Sequence, residues 1–315
     1  MVITVTLNPA IDKTLTIDNF TLGTVNRVSN IRYDIGGKGI NVSKVLKNFN
    51  IDSISTGFLG GVWEKYFLEE LKDREIETKF IHIKNTTRTN TKVVDGLNKV
   101  YTDINEAGPF IEEDELNNFI NNFESLCNEE DIVVLSGGVS PSIPVDIYAK
   151  LIKAAKGKGA ITILDAEGSL LEEGLKEKPD VIKPNIHELS KLMNLADESE
   201  ETIIKAAQEL IEKGINKVLV SLGDKGAIYI TKNKVCSCSG LKVPVKSTVG
   251  AGDSMVAALV YSLINKLDEE KTLKFANASG AASVMLEGTE ACTLDQVELL
   301  LEETKVLIKK LKEDI

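Results

Sequence analysis

The sequence predicts an α/β fold: a mostly parallel sheet covered by helices on both faces, with a small β flap set into it. Short β-branched runs alternate with amphipathic segments along most of the chain, the pattern left by parallel strands and crossover helices. Two segments, 13–36 and 87–105, break that rhythm and alternate polar with apolar residues as antiparallel strands do. The chain has 315 residues, 43% of them hydrophobic, enough to bury a full core around one such sheet.

In chain order, VITVT (2–6) reads as the first buried strand, and KTLTIDNFTLGTVNRVSNIRYDIG (13–36) follows as flap. GINVSKVLKNF (39–49) has helical spacing, ISTGF (54–58) is a strand and WEKYFLEELKDR (63–74) a second helix. TRTNTKVVDGLNKVYTDIN (87–105) returns to the flap, with a turn at Asp95-Gly96. IVVLS (132–136), ITILD (161–165), VIKP (181–184) and VLVSL (218–222) are further strands. The helices VDIYAKLIKAAK (145–156) and ETIIKAAQELIEKG (201–214) lie among them. The C-terminal part is helical: AGDSMVAALVYSLI (251–264), TLKFANASGAASVM (272–285) and LDQVELLLEETKVLIKKL (294–311). We expect a single domain over 1–315. The flap has little core of its own, so it is expected to pair with a second copy of the chain.

Charge narrows the partners. With 37 basic and 48 acidic side chains the net charge is −11, which argues against nucleic acid or an anionic membrane. An anionic substrate must then be held by local cations and backbone amides. No run approaches about 18 consecutive apolar residues, and MVITVTLNPA lacks a basic stretch before a hydrophobic one. Neither a membrane span nor a secretory signal is expected. Cys127, Cys236, Cys238 and Cys292 form no C-x-x-C pair and there are only two histidines, which favours reduced thiols in the cytoplasm over a zinc site.

Two stretches carry the chemistry. In KSTVGAGDSMVAAL (246–259), Gly250, Ala251 and Gly252 precede Asp253 just where a helical apolar period begins. The amides of a helix's first turn have no partner inside the helix and can surround a transferring phosphoryl group. The adjacent carboxylate would face the attacking hydroxyl as a general base; a weak base suffices, because the alcohol's proton becomes acidic late in the transfer. A dinucleotide fingerprint fails, since its sixth position is Met255 and a helix follows downstream where a strand should end. In YDIGGKGINVSKVL (33–46), Gly36, Gly37 and Gly39 flank Lys38, without the spacing of a P-loop. Such a turn lets backbone approach a small polyol, and Asn41 offers its hydroxyls a donor and an acceptor.

With these stretches in hand, the chain resembles the ribokinase/PfkB family of carbohydrate kinases from end to end. TLNPAID, GGKGINVSKVL, SGGVSPSIP, KPNIHEL, SLGDKGA and STVGAGDS occur in family order. TLNPAID, TDINEAGP and DAEGSLL look most like the branch of 1-phosphofructokinases and tagatose-6-phosphate kinases, the former ahead. The resemblance implies a ribokinase-like three-layer α/β/α sandwich with a β lid, acting as a kinase on a sugar phosphate. It implies ATP and Mg2+ as cofactors, with a monovalent cation as a further candidate, and a homodimer joined through the lid.

Residue by residue, the resemblance makes Asp253 the base and Gly250, Ala251 and Gly252 the anion hole. It makes Asp12 the acid that grips sugar hydroxyls, with Gly37, Lys38 and Asn41 on the sugar-binding turn. Asn185 and Glu188 match the pair that organises magnesium, through water, and the nucleotide phosphates, with Lys183 nearby. Ser221, Gly223 and Gly226 fall in the nucleotide loop, and Asn277 and Gly280 near the adenine pocket. The substrate's own phosphate calls for guanidinium groups, and Arg27 and Arg88 lie in the flap segments. Arg27 reaches either its own site or a partner's. His187, His82, Cys236 and Cys238 are read as structural.

Overall fold

The computed structural model describes residues 1–310. Strands β1 (Val2–Thr6), β2 (Ala10–Ile17) and β3 (Asn30–Gly36) lead into helix α1 (Lys38–Asn48). Next come β4 (Ile54–Gly60), α2 (Glu64–Asp73), β5 (Glu77–Thr78) and β6 (Ile81–Ile83). The hairpin of β7 (Arg88–Asp95) and β8 (Val100–Asn105) precedes α3 (Glu113–Leu126). β9 (Ile132–Ser136), α4 (Ile147–Gly157), β10 (Ile161–Asp165), α5 (Gly168–Leu175), β11 (Val181–Ile182) and α6 (Ile186–Met193) follow. Then come α7 (Glu200–Glu212), β12 (Lys217–Ser221), β13 (Ala227–Thr231) and β14 (Lys234–Cys238). The chain closes with α8 (Ala251–Ile264), α9 (Glu269–Val284), α10 (Leu294–Leu301) and β15 (Val306–Lys310).

The large sheet runs β15-β14-β13-β12-β11-β10-β9-β1-β4-β5, with β6 also beside β4. From β12 to β5 all pairings are parallel, and β13, β14 and β15 add an antiparallel edge. The pleat sends alternate side chains to opposite faces. Ile3, Val5, Val133 and Leu135 pack with α3 to α7, whereas Val2, Ile132 and Val134 pack with α1, α8, α9 and α10. The result is a three-layer α/β/α sandwich. Among the described residues no helix is long and apolar enough to cross a membrane.

The C-terminal helix expected over 294–311 ends at Leu301. Val306 to Lys310 instead form β15, antiparallel to β14. Without it β14 would be an open edge with unpaired backbone groups, and Val306 and Ile308 are β-branched residues that suit a strand. Sheet pairing overrides the helical spacing. Leu311, the last residue of the expected helix, lies outside the described residues.

The flap segments form a separate four-stranded sheet, ordered β3-β2-β7-β8. Its outer pairs are antiparallel as expected, but the central pair, β2 with β7, is parallel. Each of the two hairpins leaves the body at the same end, Ala10 opposite Arg88, so their first strands run alongside in one direction. Asp95 closes the β7–β8 connection. Its carboxylate accepts from the amides of Leu97 and Asn98 within the turn and of Asn19 and Phe20 in the other hairpin.

Candidate active site

A cleft of about 520 Å³ opens between the carboxyl ends of the parallel strands and the inner face of the small sheet. The small sheet's register sets its roof. Asp34, Asp12, Asn90 and Asn105 form one row across the four strands, and Arg32, Thr14, Lys92 and Asp103 the next. All of them line the cleft, because residues two apart on a strand share a face. Asn90 Nδ2 donates to Asp12 Oδ1 at 3.1 Å. Burial pushes the Asp12 carboxyl up in pKa, against the pull of that hydrogen bond and of Lys44. Gly36 leaves room for this: a Cβ there would strike the Asp12 carboxylate.

On the floor, Gly250 sits at φ 83° as the N-cap of α8, a conformation that suits glycine. It starts the helix with the amides of Ala251, Gly252 and Asp253 unpaired within it. Asp253, 6% exposed, accepts from Asn41 Nδ2 at 2.8 Å. Burial and the nearby Asp165 raise its pKa to about 6, although Lys38, Asn41 and Lys183 pull it down. Burial therefore outweighs the helix terminus, and the result is a carboxylate that is ionised at neutral pH yet basic for its type.

Beside the amides stands an ion triad. Asp165, 1% exposed, lies with Oδ1 3.3 Å from Lys183 Nζ and 3.5 Å from Lys38 Nζ. Burial alone would raise the Asp165 pKa, but the two ammonium groups outweigh it and hold it low. Lys38 is pushed up in turn by Asp165. Asp165 Oδ2 and Ser136 Oγ are buried on this cleft with no hydrogen-bond partner among the described residues. Sequence reading did not single them out, although both lie at strand carboxyl ends, where such folds place their sites.

Asn185 caps α6: its Oδ1 accepts from the Glu188 amide at 2.9 Å, and Glu188 Oε2 accepts from the Asn185 amide at 2.8 Å. The N-x-x-E spacing is thus a capping box. One carboxylate oxygen of Glu188 is left over, and both residues line the cleft. Together with Asp165 Oδ2 and Ser136 Oγ they make an oxygen-rich wall that fits a hard cation. Among the described residues no three or more His, Cys, Asp or Glu gather as a metal cage, so water and phosphate oxygens would complete the shell of a magnesium ion.

The structure brings Asp12, Gly37, Lys38, Asn41, Arg88, Lys183, Asn185, Glu188, Ser221, Gly250, Gly252 and Asp253 to one cleft, with Ala251 on the same turn. Arg88 is half-buried there, donating to the carbonyls of Glu106 at 2.8 Å and Asn8 at 3.1 Å. Its Nε has no partner among the described residues. Arg27 does not line its own chain's cleft; it lies exposed on the β2–β3 connection, because that loop runs past the far end of the sheet. Arg32 and Lys92 bring the cations there instead, with Arg32 Nε 2.8 Å from Asp34 Oδ2.

Gly223, Gly226, Asn277 and Gly280 lie outside the lining. Packing accounts for two of them: a Cβ on Gly226 would strike the Cys238 carbonyl, and one on Gly280 would lie 3.2 Å from Met255 Cγ. Asn277 donates to the Ser239 carbonyl at 3.2 Å. His82 and His187 are exposed and paired with Glu64 and Glu198, while Cys236 and Cys238 pack in the core.

The family model described as "pfkB family carbohydrate kinase" matches residues 5–296. A tagatose-6-phosphate kinase of Staphylococcus epidermidis (strain ATCC 12228) is 37% identical over 310 residues, covering 98% of this chain and 99% of its own. A 1-phosphofructokinase of Bacillus subtilis is 37% identical over 306 residues, covering 97% and 99%. The solved structure of phosphofructokinase-2 from Escherichia coli in complex with potassium superposes with a TM-score of 0.91 at 27% identity, over 96% of this chain and 98% of that one.

Proposed function

The chain belongs to the pfkB family of carbohydrate kinases, and from that premise we propose that it phosphorylates a hexose phosphate with ATP, fructose 1-phosphate above others. The observation that carries the reading is Asp253 at the first turn of α8, beside unpaired amides and beneath a roof bearing Arg88, Arg32 and Lys92. A sugar hydroxyl oxygen attacks the γ-phosphorus in line, the bond from that phosphorus to the β–γ bridging oxygen breaks, and the hydroxyl proton passes to Asp253. The amides of residues 251–253 receive the charge that spreads over the equatorial oxygens. Asp12 and Asn90 orient the sugar, and the roof's cations hold the phosphate it already carries.

Magnesium, when bound, neutralises phosphate charge; Asn185, Glu188, Asp165 and Ser136 are the residues that would hold it. The small sheet acts as a lid that excludes water. Its outer face and tip expose Leu22, Val25, Ile31 and Ile104, apolar surface suited to a second copy, and Arg27 on that tip would reach toward the partner's cleft. The cytoplasm, which holds both ATP and sugar phosphates, is the fitting location. Tagatose 6-phosphate is the second reading, favoured by an equally similar relative of that name. A panel of fructose 1-phosphate, tagatose 6-phosphate, fructose 6-phosphate and ribose with ATP decides: fructose 1-phosphate should give the highest kcat/KM. Preference for ribose, or transfer to none of the four, would refute the proposal.

A further inference from the structure

Among the described residues two lysines are buried, Lys183 and Lys44. Lys183 faces the cleft and is paired with Asp165. Lys44, on α1, is neither on the cleft nor within ion-pairing distance of a carboxylate among the described residues, although only 5% exposed. Burying an ammonium without a counter-ion is unfavourable, and an apolar side chain of the same length would avoid the penalty. Its contacts suggest why the charge is kept. Nζ donates to the Ile35 carbonyl at 2.5 Å and to Asn41 Oδ1 at 3.4 Å. The other end of the same amide, Asn41 Nδ2, donates to Asp253 Oδ2 at 2.8 Å.

An amide has one accepting end and one donating end, so a cation at Oδ1 decides which end meets the carboxylate. Ile35 lies at the end of β3, immediately before the Gly36-Gly37 turn that joins the small sheet to the body. A continuous chain of contacts therefore runs from that strand through Lys44 and Asn41 to Asp253. We propose that Lys44 is a positioning residue: it fixes the Asn41 amide, and through it the orientation and charge of Asp253, and ties that carboxylate to the end of the lid strand. The inference rests on the reading of Asp253 as the base. Lys44 is faced by Arg74 after α2, Asp34 on β3, Asp12 on β2 and Asp253 on α8. Burial, with Arg74 adding to it, lowers its pKa to about 8 despite those three carboxylates.

The test uses the full chain as Lys44→Met, Lys44→Arg and Lys44→Met combined with Asn41→Ala. Two readouts are taken: the 13C carboxyl titration of Asp253, which needs no turnover, and steady-state kinetics. In Lys44→Met the Asp253 midpoint should move up from near 6, and kcat should fall about 10- to 100-fold with little change in KM for ATP. Lys44→Arg should restore both and abolish any fall in kcat above about pH 8, because a guanidinium does not titrate there. Lys44→Met should cost nothing more on an Asn41→Ala background. A merely structural lysine would lower the melting temperature and leave the Asp253 midpoint and kcat in place. An unmoved midpoint, or losses that add in the double variant, overturns the proposal. Should Lys44→Met not fold, Lys44→Gln, which keeps a donor without the charge, carries the same readouts. If no sugar phosphate is phosphorylated by the unaltered chain, the kinase reading fails while the carboxyl titration still decides the role of Lys44.

Discussion

Burial and Asp165 raise the Asp253 pKa to about 6, so the pH dependence of the rate has a definite sign. A protonated carboxyl cannot accept the hydroxyl proton. Activity is therefore half-maximal near pH 6, approaches its full value about a unit or more higher and is lost below, which a kcat/KM profile between pH 5 and 8 would show. At the same scale, Arg88→Ala should raise KM for the sugar phosphate at least about tenfold and leave KM for ATP nearly unchanged. Equal effects on both would remove Arg88 from the phosphate's grip. Residues in short motifs were legible in the sequence: Asp253, Lys38 and Asn41 beside glycine turns, and Asn185 in KPNIHEL, all meet at the cleft. Arg32, Asp34 and Lys92 were not, because their placement depends on strand register, and a slip of one residue would have turned them outward.

Among the elements, α6 shows how one spacing serves two purposes. Asn and Glu three apart cap a helix whether or not a metal binds, so KPNIHEL was readable as a site while its structural duty went unread. The two can be separated. Asn185→Ala should cost about 1 kcal/mol of stability through the lost cap, whereas Asn185→Ser keeps a capping oxygen and should hold the melting temperature. If Asn185 also helps hold magnesium, Asn185→Ser should raise the magnesium concentration needed for half-maximal activity. An unchanged requirement confines Asn185 to the cap. Strands β1, β4, β9, β10, β11 and β12 and helices α1, α2, α4, α7, α8 and α9 followed from periodicity, whereas α3 and β13 were not read from it. Nor was β15, because VLIKK fits either pattern locally and the partner edge that decides, β14, is distant in sequence.

For the molecule as a whole, the two-hairpin sheet above an α/β body was visible as a break in rhythm, though not the parallel central pairing that closes it. Trp63, the only tryptophan, sits on the body with its ring 5.7 Å from that of Tyr33 on β3. Lid movement on binding sugar phosphate should therefore change its fluorescence, and a spectrum that stays the same at saturation would mean a fixed lid. The exposed apolar face predicts a dimer in sedimentation, which Ile104→Lys should shift toward monomer by placing a charge on that face. A monomer across a wide concentration range would remove the pairing.

All of this depends on unpaired amides and a buried acid dividing one reaction between them at the start of α8. The rate of a single turnover with ATP and fructose 1-phosphate, compared between the unaltered chain and Asp253→Asn, tests that most directly. The account predicts a loss on the order of 10²- to 10⁴-fold with ATP binding retained. An Asp253→Asn protein that folds normally and transfers at the unaltered rate would contradict it.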